Sequence, residues 1–189
     1  MNVYDFDKTI YGGDSTIDFY FHCVKHFPKI ILFFPIQLTA LIEYKFKIIS
    51  KTEMKEKFYC FFKLIPEIDC TIKDFWDINE YKIEKWYRNQ QQNDDVIISA
   101  SPDILLREIC TRLGIKYLIA SKVDPKTGKY NGLNCYGKEK ALRFYKQFPT
   151  TCIDKFYSDS YSDEPLAKHA RESFIVSKNA IKEWPKKQK

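Results

Sequence analysis

Asp5 and Asp7 stand two residues apart in YDFDKT, at the end of a run containing the bulky β-formers Val3, Tyr4 and Phe6. Side chains two apart on a strand share a face, so the two carboxylates point the same way. A buried, unpaired charge is costly. Like charges side by side persist only with a cation, a shared proton or water. A solvated loop is the plain alternative, and the rest of the chain must decide. Two later segments also end strands in polar residues, and a third lies between them. VIIS ends at Ser99, FYSDSYSD carries Asp159 and Asp163, and GKEK between them supplies Lys138 and Lys140. Several carboxylates meeting at one place suit a hard cation such as Mg²⁺. A lysine and a hydroxyl beside them suit a phosphate. The helix that begins at Pro102 would aim its N-terminus at the same edge.

Elements of two kinds must position these groups. From residue 90 onward short apolar strands alternate with helices. DVIIS, KYLIASKV, TCIDKFYSDS and SFIVS read as strands, and SPDILLREICTRLG, GKEKALRFYKQF and DEPLAKHA as helices. Ser101 is the expected cap of the first of these helices, Pro102 its first turn and Gly114 its stop. DPKTGKYNG reads as a turn-rich hairpin or flap. This alternation implies an α/β fold: a Rossmann-like parallel sheet with helices on both faces, with ligands beyond the carboxyl ends of its strands. Residues 15–88 differ. They are aromatic-rich and show helical periodicity in FYFHCVKHF, IILFFPIQLTALIEYKFKII, TEMKEKFYCFFKLI and INEYKIEKWYRNQ, with Ser50 and Thr52 as candidate N-caps of the third. The expected organisation is therefore an α/β core made of 1–14 and 89–189, with 15–88 inserted as an all-helical module above the strand ends.

Composition narrows the function classes. The chain has 189 residues, 44% of them hydrophobic, and a net charge of +6 carried mostly by lysine. The lysines of KEWPKKQK read as a solvated tail. No arginine-rich stripe or nucleic-acid motif occurs, so nucleic acid is not expected as a partner. The six cysteines match neither a zinc site nor a compact disulfide framework. They read as core thiols of a cytoplasmic protein. No secretory signal opens the chain, and its longest apolar run, residues 30–42, is short for a membrane span and interrupted by Pro35. His22 and His26, one helical turn apart, read as an ordinary helix face. Nothing sets an oligomeric state.

Four segments together resemble the haloacid dehalogenase-like hydrolases. DFDKT is similar to their Asp-x-Asp-x-Thr motif, VIISAS to the second motif, GKEK before a helix to the third and YSDSYSD to the fourth, in the right order. The inserted helices resemble the cap of the branch that includes phosphoserine phosphatase. The resemblance implies a Mg²⁺-dependent phosphomonoester hydrolase acting on a small phosphorylated metabolite through an aspartyl-phosphate. Asp5 would be the nucleophile and Asp7 the general acid and base. Thr9, which also braces the loop, would join Ser99, Ala100 and a lysine at the phosphoryl oxygens. Asp5, Asp7 (through its carbonyl), Asp159 and Asp163 would bind Mg²⁺. Aligning on the following helix favours Lys138 as the lysine, whereas the Gly-x-x-Lys spacing favours Lys140, which is the preferred assignment.

Departures from the family bear on substrate. Asp14 stands where the phosphoserine enzymes carry a glutamate that grips the substrate amine. No arginine occurs from residue 1 to 87 to clamp a carboxylate, so phosphoserine is disfavoured. Lys8 replaces a frequent glycine, with its side chain expected to point away from the metal. The abundant apolar residues of the insertion are expected to form its own core. The alternative is that FPKIILFFPIQLTALIEYKFK makes an apolar helix pair with lysines at its edge. That pair would suit an amphipathic phosphate ester or a membrane surface, as in the phosphatidylglycerophosphate phosphatases of the same branch; peripheral membrane contact stays open but not favoured. The same motifs would also serve a phosphotransferase, in which a sugar or alcohol replaces water. Outside enzymes, a non-catalytic binding module would keep the fold alone, and the intact Asp5 and Asp7 oppose it.

Overall fold

The computed structural model describes residues 1–177 and 180–185; the second half of the lysine-rich tail KEWPKKQK, from residue 186, lies outside them. Strand β1 (Val3–Tyr4) is followed by helices α1 (Ser15–His26), α2 (Phe34–Lys45), α3 (Lys51–Phe58), α4 (Ile68–Asn79) and α5 (Lys85–Gln90). Then come β2 (Val96–Pro102), α6 (Asp103–Arg112), β3 (Tyr117–Ser121), α7 (Lys138–Gln147), β4 (Ile153–Ser158), α8 (Glu164–Ala167), β5 (Ala170–Ser177) and β6 (Ala180–Glu183). The strands form one sheet in the order β3-β2-β1-β4-β5-β6. All neighbours are parallel except β5 and β6. This is the expected Rossmann-like α/β architecture. The chain runs from β1 outward to β3 on one side and returns to the other side with β4, so the switch point lies between β1 and β4, where a ligand crevice belongs.

β1 spans only two residues, yet it pairs on both sides, Val3 with Val96 and Phe156, Tyr4 with Ile97 and Tyr157. Asp5 carries the pairing one residue further, donating its N–H to the Tyr157 carbonyl at 2.8 Å. Alternate side chains enter opposite layers, as the two-residue period of a strand requires. Val3, Val96, Ile98 and Phe156 pack with Phe144 and Leu166. Tyr4, Ile97 and Tyr157 pack with Leu105, Ile109 and the inserted residues Phe19, Phe75 and Trp76. The insertion therefore shares its core with the sheet: Trp76 Nε1 donates to the Leu105 carbonyl at 2.7 Å. Gly128 (φ +73°) lets the 124–130 turn press against Tyr59, whose carbonyl would lie 2.2 Å from an added Cβ, and the Tyr130 N–H donates to Glu56 Oε1 at 2.8 Å.

Several local expectations need correction. Residues 30–49 are not one helix: a 3-10 turn covers Pro28–Phe33, and α2 begins at Phe34 with Pro35 in its first turn, where a missing N–H costs nothing. Residues 78–90 are not one helix either, but the end of α4, a 3-10 turn at Glu80–Lys82 and α5. The expected third helix continues past α3 as a 3-10 turn at Tyr59–Leu64. Ser50 caps α3, its side chain and that of Glu53 exchanging bonds with each other's backbone N–H in a capping box. Ser101 does not cap α6; it lies in β2, and Pro102 holds the N-cap position. The edge strand β6 is an addition to the elements expected from sequence. Cys23, Cys110 and Cys135 are buried, but Cys70 and Cys152 are exposed rather than core thiols. No helix among the described residues is long and apolar enough to cross a membrane.

Candidate active site

A cleft of about 380 Å³ opens at the carboxyl ends of β1, β2 and β4. Asp5, Asp7 and Asp14 line it from the segment after β1, and Ser99 and Ala100 from β2. Lys140, Asp159 and Asp163 close its floor. Two expected residues lie elsewhere. Lys138 is exposed outside the cleft, and Thr9 is buried behind it with its hydroxyl unpartnered. Lys8, exposed, stands at the edge of the cleft lining. Its φ of +56° explains why a glycine suits this position.

The floor is an ion-pair cluster. Lys140 Nζ donates to Asp5 Oδ1 at 2.8 Å and to Asp163 Oδ2 at 2.6 Å. Ser158 also donates to Asp163 Oδ2, at 2.8 Å. Burial raises the Asp5 carboxyl above its ordinary value; Lys140 opposes the rise and Asp163 reinforces it. Burial works to lower the Lys140 ammonium, but Asp5 and Asp163 outweigh it and hold the lysine firmly charged. Asp159 is raised by burial, against the pull of Lys140 and Lys8.

Asp7 has different company. Its Oδ1 accepts the Ser15 N–H at 2.6 Å, at the N-terminus of α1, where the helix dipole favours an anion. Its Oδ2 accepts the Ser101 hydroxyl. Burial and the neighbouring Asp14 raise its carboxyl, and the serine bonds oppose them. Asp14 itself caps α1, accepting the Ile17 N–H at 3.1 Å. Two carboxylates two residues apart thus sit in different environments: Asp5 beside a lysine, Asp7 beside donors of the protein backbone and serines.

Sequence reasoning missed the wall opposite. Lys51, Met54, Lys55 and Phe58 all line the cleft from α3, at i, i+3, i+4 and i+7, one face of a helix. Lys55 Nζ donates to the Ala100 carbonyl at 2.9 Å, and Lys51 Nζ lies 3.5 Å from the centre of the Tyr136 ring. Burial, with Lys51 adding to it, pushes the Lys55 ammonium down to about 8. The helical spacing was the one signal in the sequence that could have pointed to this face.

Hard oxygen donors on this floor fit Mg²⁺. Among the described residues no three His, Cys, Asp or Glu side chains form a ready-made metal cage. Mg²⁺, however, ordinarily takes one or two carboxylates and completes its shell with waters and substrate phosphate. Asp163 Oδ1 is buried without a hydrogen-bond partner, an oxygen that a cation would satisfy.

The family model for haloacid dehalogenase-like hydrolases matches residues 3–168. The chain belongs to this family. A comparison with curated proteins finds no match. Solved structures of similar fold cover most of the chain. A protein of unknown function from Bordetella pertussis Tohama I superposes with a TM-score of 0.76 at 15% identity, over 92% of this chain and 87% of that one. A phosphoserine phosphohydrolase-like protein from Francisella tularensis subsp. tularensis SCHU S4 gives 0.58 at 16%, over 92% and 86%. A phospho-aspartyl intermediate analogue of phosphoserine phosphatase gives 0.52 at 18%, over 90% and 83%. At these identities the likeness concerns the fold.

Proposed function

We propose that this haloacid dehalogenase-like hydrolase is a Mg²⁺-dependent phosphomonoesterase of a small phosphorylated substrate, with residues 15–88 as its cap. The observation that carries the proposal is the meeting of Asp5, Lys140 and Asp163 within 2.8 Å contacts on the cleft floor, with Asp7 beside them in a different setting. Asp5, Asp159, Asp163 and the Asp7 backbone carbonyl would hold Mg²⁺, which when bound neutralises charge on the phosphoryl oxygens.

The chain's own groups divide the work. An oxygen of Asp5 attacks phosphorus and the ester P–O bond breaks, leaving an aspartyl-phosphate. Asp7, whose raised carboxyl suits proton transfer, protonates the departing oxygen. It then takes a proton from water, whose oxygen attacks phosphorus, frees inorganic phosphate and restores Asp5. Lys140 and Ser99 hold the phosphoryl oxygens, and Lys55 adds a cation from the cap side. Asp14 serves α1 as its cap and faces the leaving group.

The test is phosphate release from a panel of esters, among them phosphoserine, sugar phosphates, nucleotides and an aryl phosphate. Metal-dependent release by the parent and none by Asp5→Asn supports the proposal. Release by both proteins alike contradicts it.

A further inference from the structure

Helix α2 turns its apolar stripe outward. Phe34, Leu38, Leu41 and Ile42 stand at i, i+4, i+7 and i+8, the spacing that ordinarily faces a core. Here Phe34 is 53% and Leu41 50% exposed. The opposite face, Gln37 and Ala40, is the buried one, and Gln37 Nε2 holds the Phe58 carbonyl at 3.0 Å. The stripe continues at both ends, with Leu32 73% exposed before it and Phe46 and Ile48 each 71% exposed after it. The expectation that the apolar residues of the insertion form its core therefore holds for Phe19, Phe61 and Trp76 and fails for this stretch. Soluble proteins rarely leave so much contiguous apolar surface uncovered.

The charges along the stripe itself are mostly positive. From residue 19 to residue 52 the sequence contains five lysines and a single acid, Glu43, which is engaged by Lys57. Lys25, Lys29, Lys45 and Lys47 are exposed, and among the described residues none has a carboxylate partner. A second copy of the chain would set these lysines against its own. An anionic surface with an apolar interior meets both the stripe and its rim.

We infer that the face formed by residues 28–48 docks on an anionic lipid bilayer. The stripe enters the boundary between headgroups and acyl chains, and the lysines meet lipid phosphates. Leu41 belongs both to the stripe and to the lining of the cleft, and the half-exposed Ile17 lines the same mouth. Docking thus brings the cleft to the membrane surface. Resting on the phosphatase proposal, the substrate is then a phosphate ester carrying an apolar tail.

The test is co-sedimentation of the full chain with vesicles of phosphatidylcholine alone and of equimolar phosphatidylcholine and phosphatidylserine, at low and high salt. Sedimentation velocity without lipid runs alongside. Binding to the anionic vesicles at low salt is expected, with roughly fivefold weakening for each of Lys45→Gln and Lys47→Gln. The double variant Leu38→Glu, Phe46→Glu should lose binding while hydrolysing a soluble aryl phosphate like the parent; both positions lie outside the cleft. No binding to anionic vesicles, or equal binding by parent and double variant, overturns the inference. So does a parent dimer that the double variant converts to monomer, which assigns the face to a second copy. Vesicle binding by a chain without phosphatase activity upholds the docking and overturns the phosphatase proposal alone.

Discussion

Lys140 donates to Asp5 Oδ1 at 2.8 Å across 135 positions of sequence. The contact joins the start of α7 to the end of β1 and is buried on both sides. A charge pair so placed is strongly destabilising to break, because removing one partner strands the other. Replacing Lys140 by Met leaves Asp5 and Asp163 side by side without a cation. In chelator, Lys140→Met should lose about 3 to 5 kcal/mol of stability at neutral pH. The deficit should shrink as the pH falls and one carboxylate takes a proton. Denaturant melts over a pH series check it; a deficit independent of pH would show that the loss is one of packing.

Lys55 gives a pH dependence with a defined sign. Its ammonium is pushed down to about 8 by burial, against an ordinary value of 10.5. Above about 8 the folded chain loses a proton that the unfolded chain keeps, so Lys55 makes stability rise with pH between about 8 and 10.5. Activity should move the other way. If the ammonium meets a substrate oxygen, kcat/KM falls as the pH rises through about 8. Lys55→Met should lower kcat/KM and remove that limb; an unchanged limb in the variant would assign it to another group.

Trp76 ties the inserted helices to the sheet layer through its bond to the Leu105 carbonyl. It is fully buried among Phe6, Tyr11 and Phe75. Trp76→Ala should cost about 3 to 5 kcal/mol, and the unfolding should stay a single transition because the two parts share one core. Two separate transitions would mean that the insertion folds independently.

What the sequence disclosed depended on the kind of signal. The meeting of Asp5, Ser99 and Asp159 in one cleft was legible because each interrupts or ends an apolar strand, and parallel strands bring such ends to one edge. The Gly-x-x-Lys spacing already preferred Lys140 over Lys138, two residues away on the same helix start, and the direction of α7 turns Lys140 into the cleft and Lys138 out to solvent. Helix α4 carries Ile68, Ile72, Phe75 and Trp76 at helical spacing, a stripe as readable as any. The adjoining 78–90 window competed with it, and the 3-10 turn at Glu80–Lys82 that divides the two has no marked sequence signature. The short β6 has one strongly apolar residue, Ile181, and no alternation to betray it. For α2 the spacing was plain but the side facing solvent was not, because an outward apolar stripe and an inward one have the same period.

The central claim is that Asp5 is phosphorylated in the course of ester hydrolysis supported by Mg²⁺. The most direct measurement is release of inorganic phosphate from an aryl phosphate with Mg²⁺, with chelator, and by Asp5→Asn whose fold is verified by circular dichroism. Turnover by the parent with Mg²⁺ is predicted, lost reversibly in chelator and reduced by several orders of magnitude in Asp5→Asn. Substantial metal-dependent turnover by Asp5→Asn would contradict the claim, since the carboxylate that must carry the phosphoryl group would be absent.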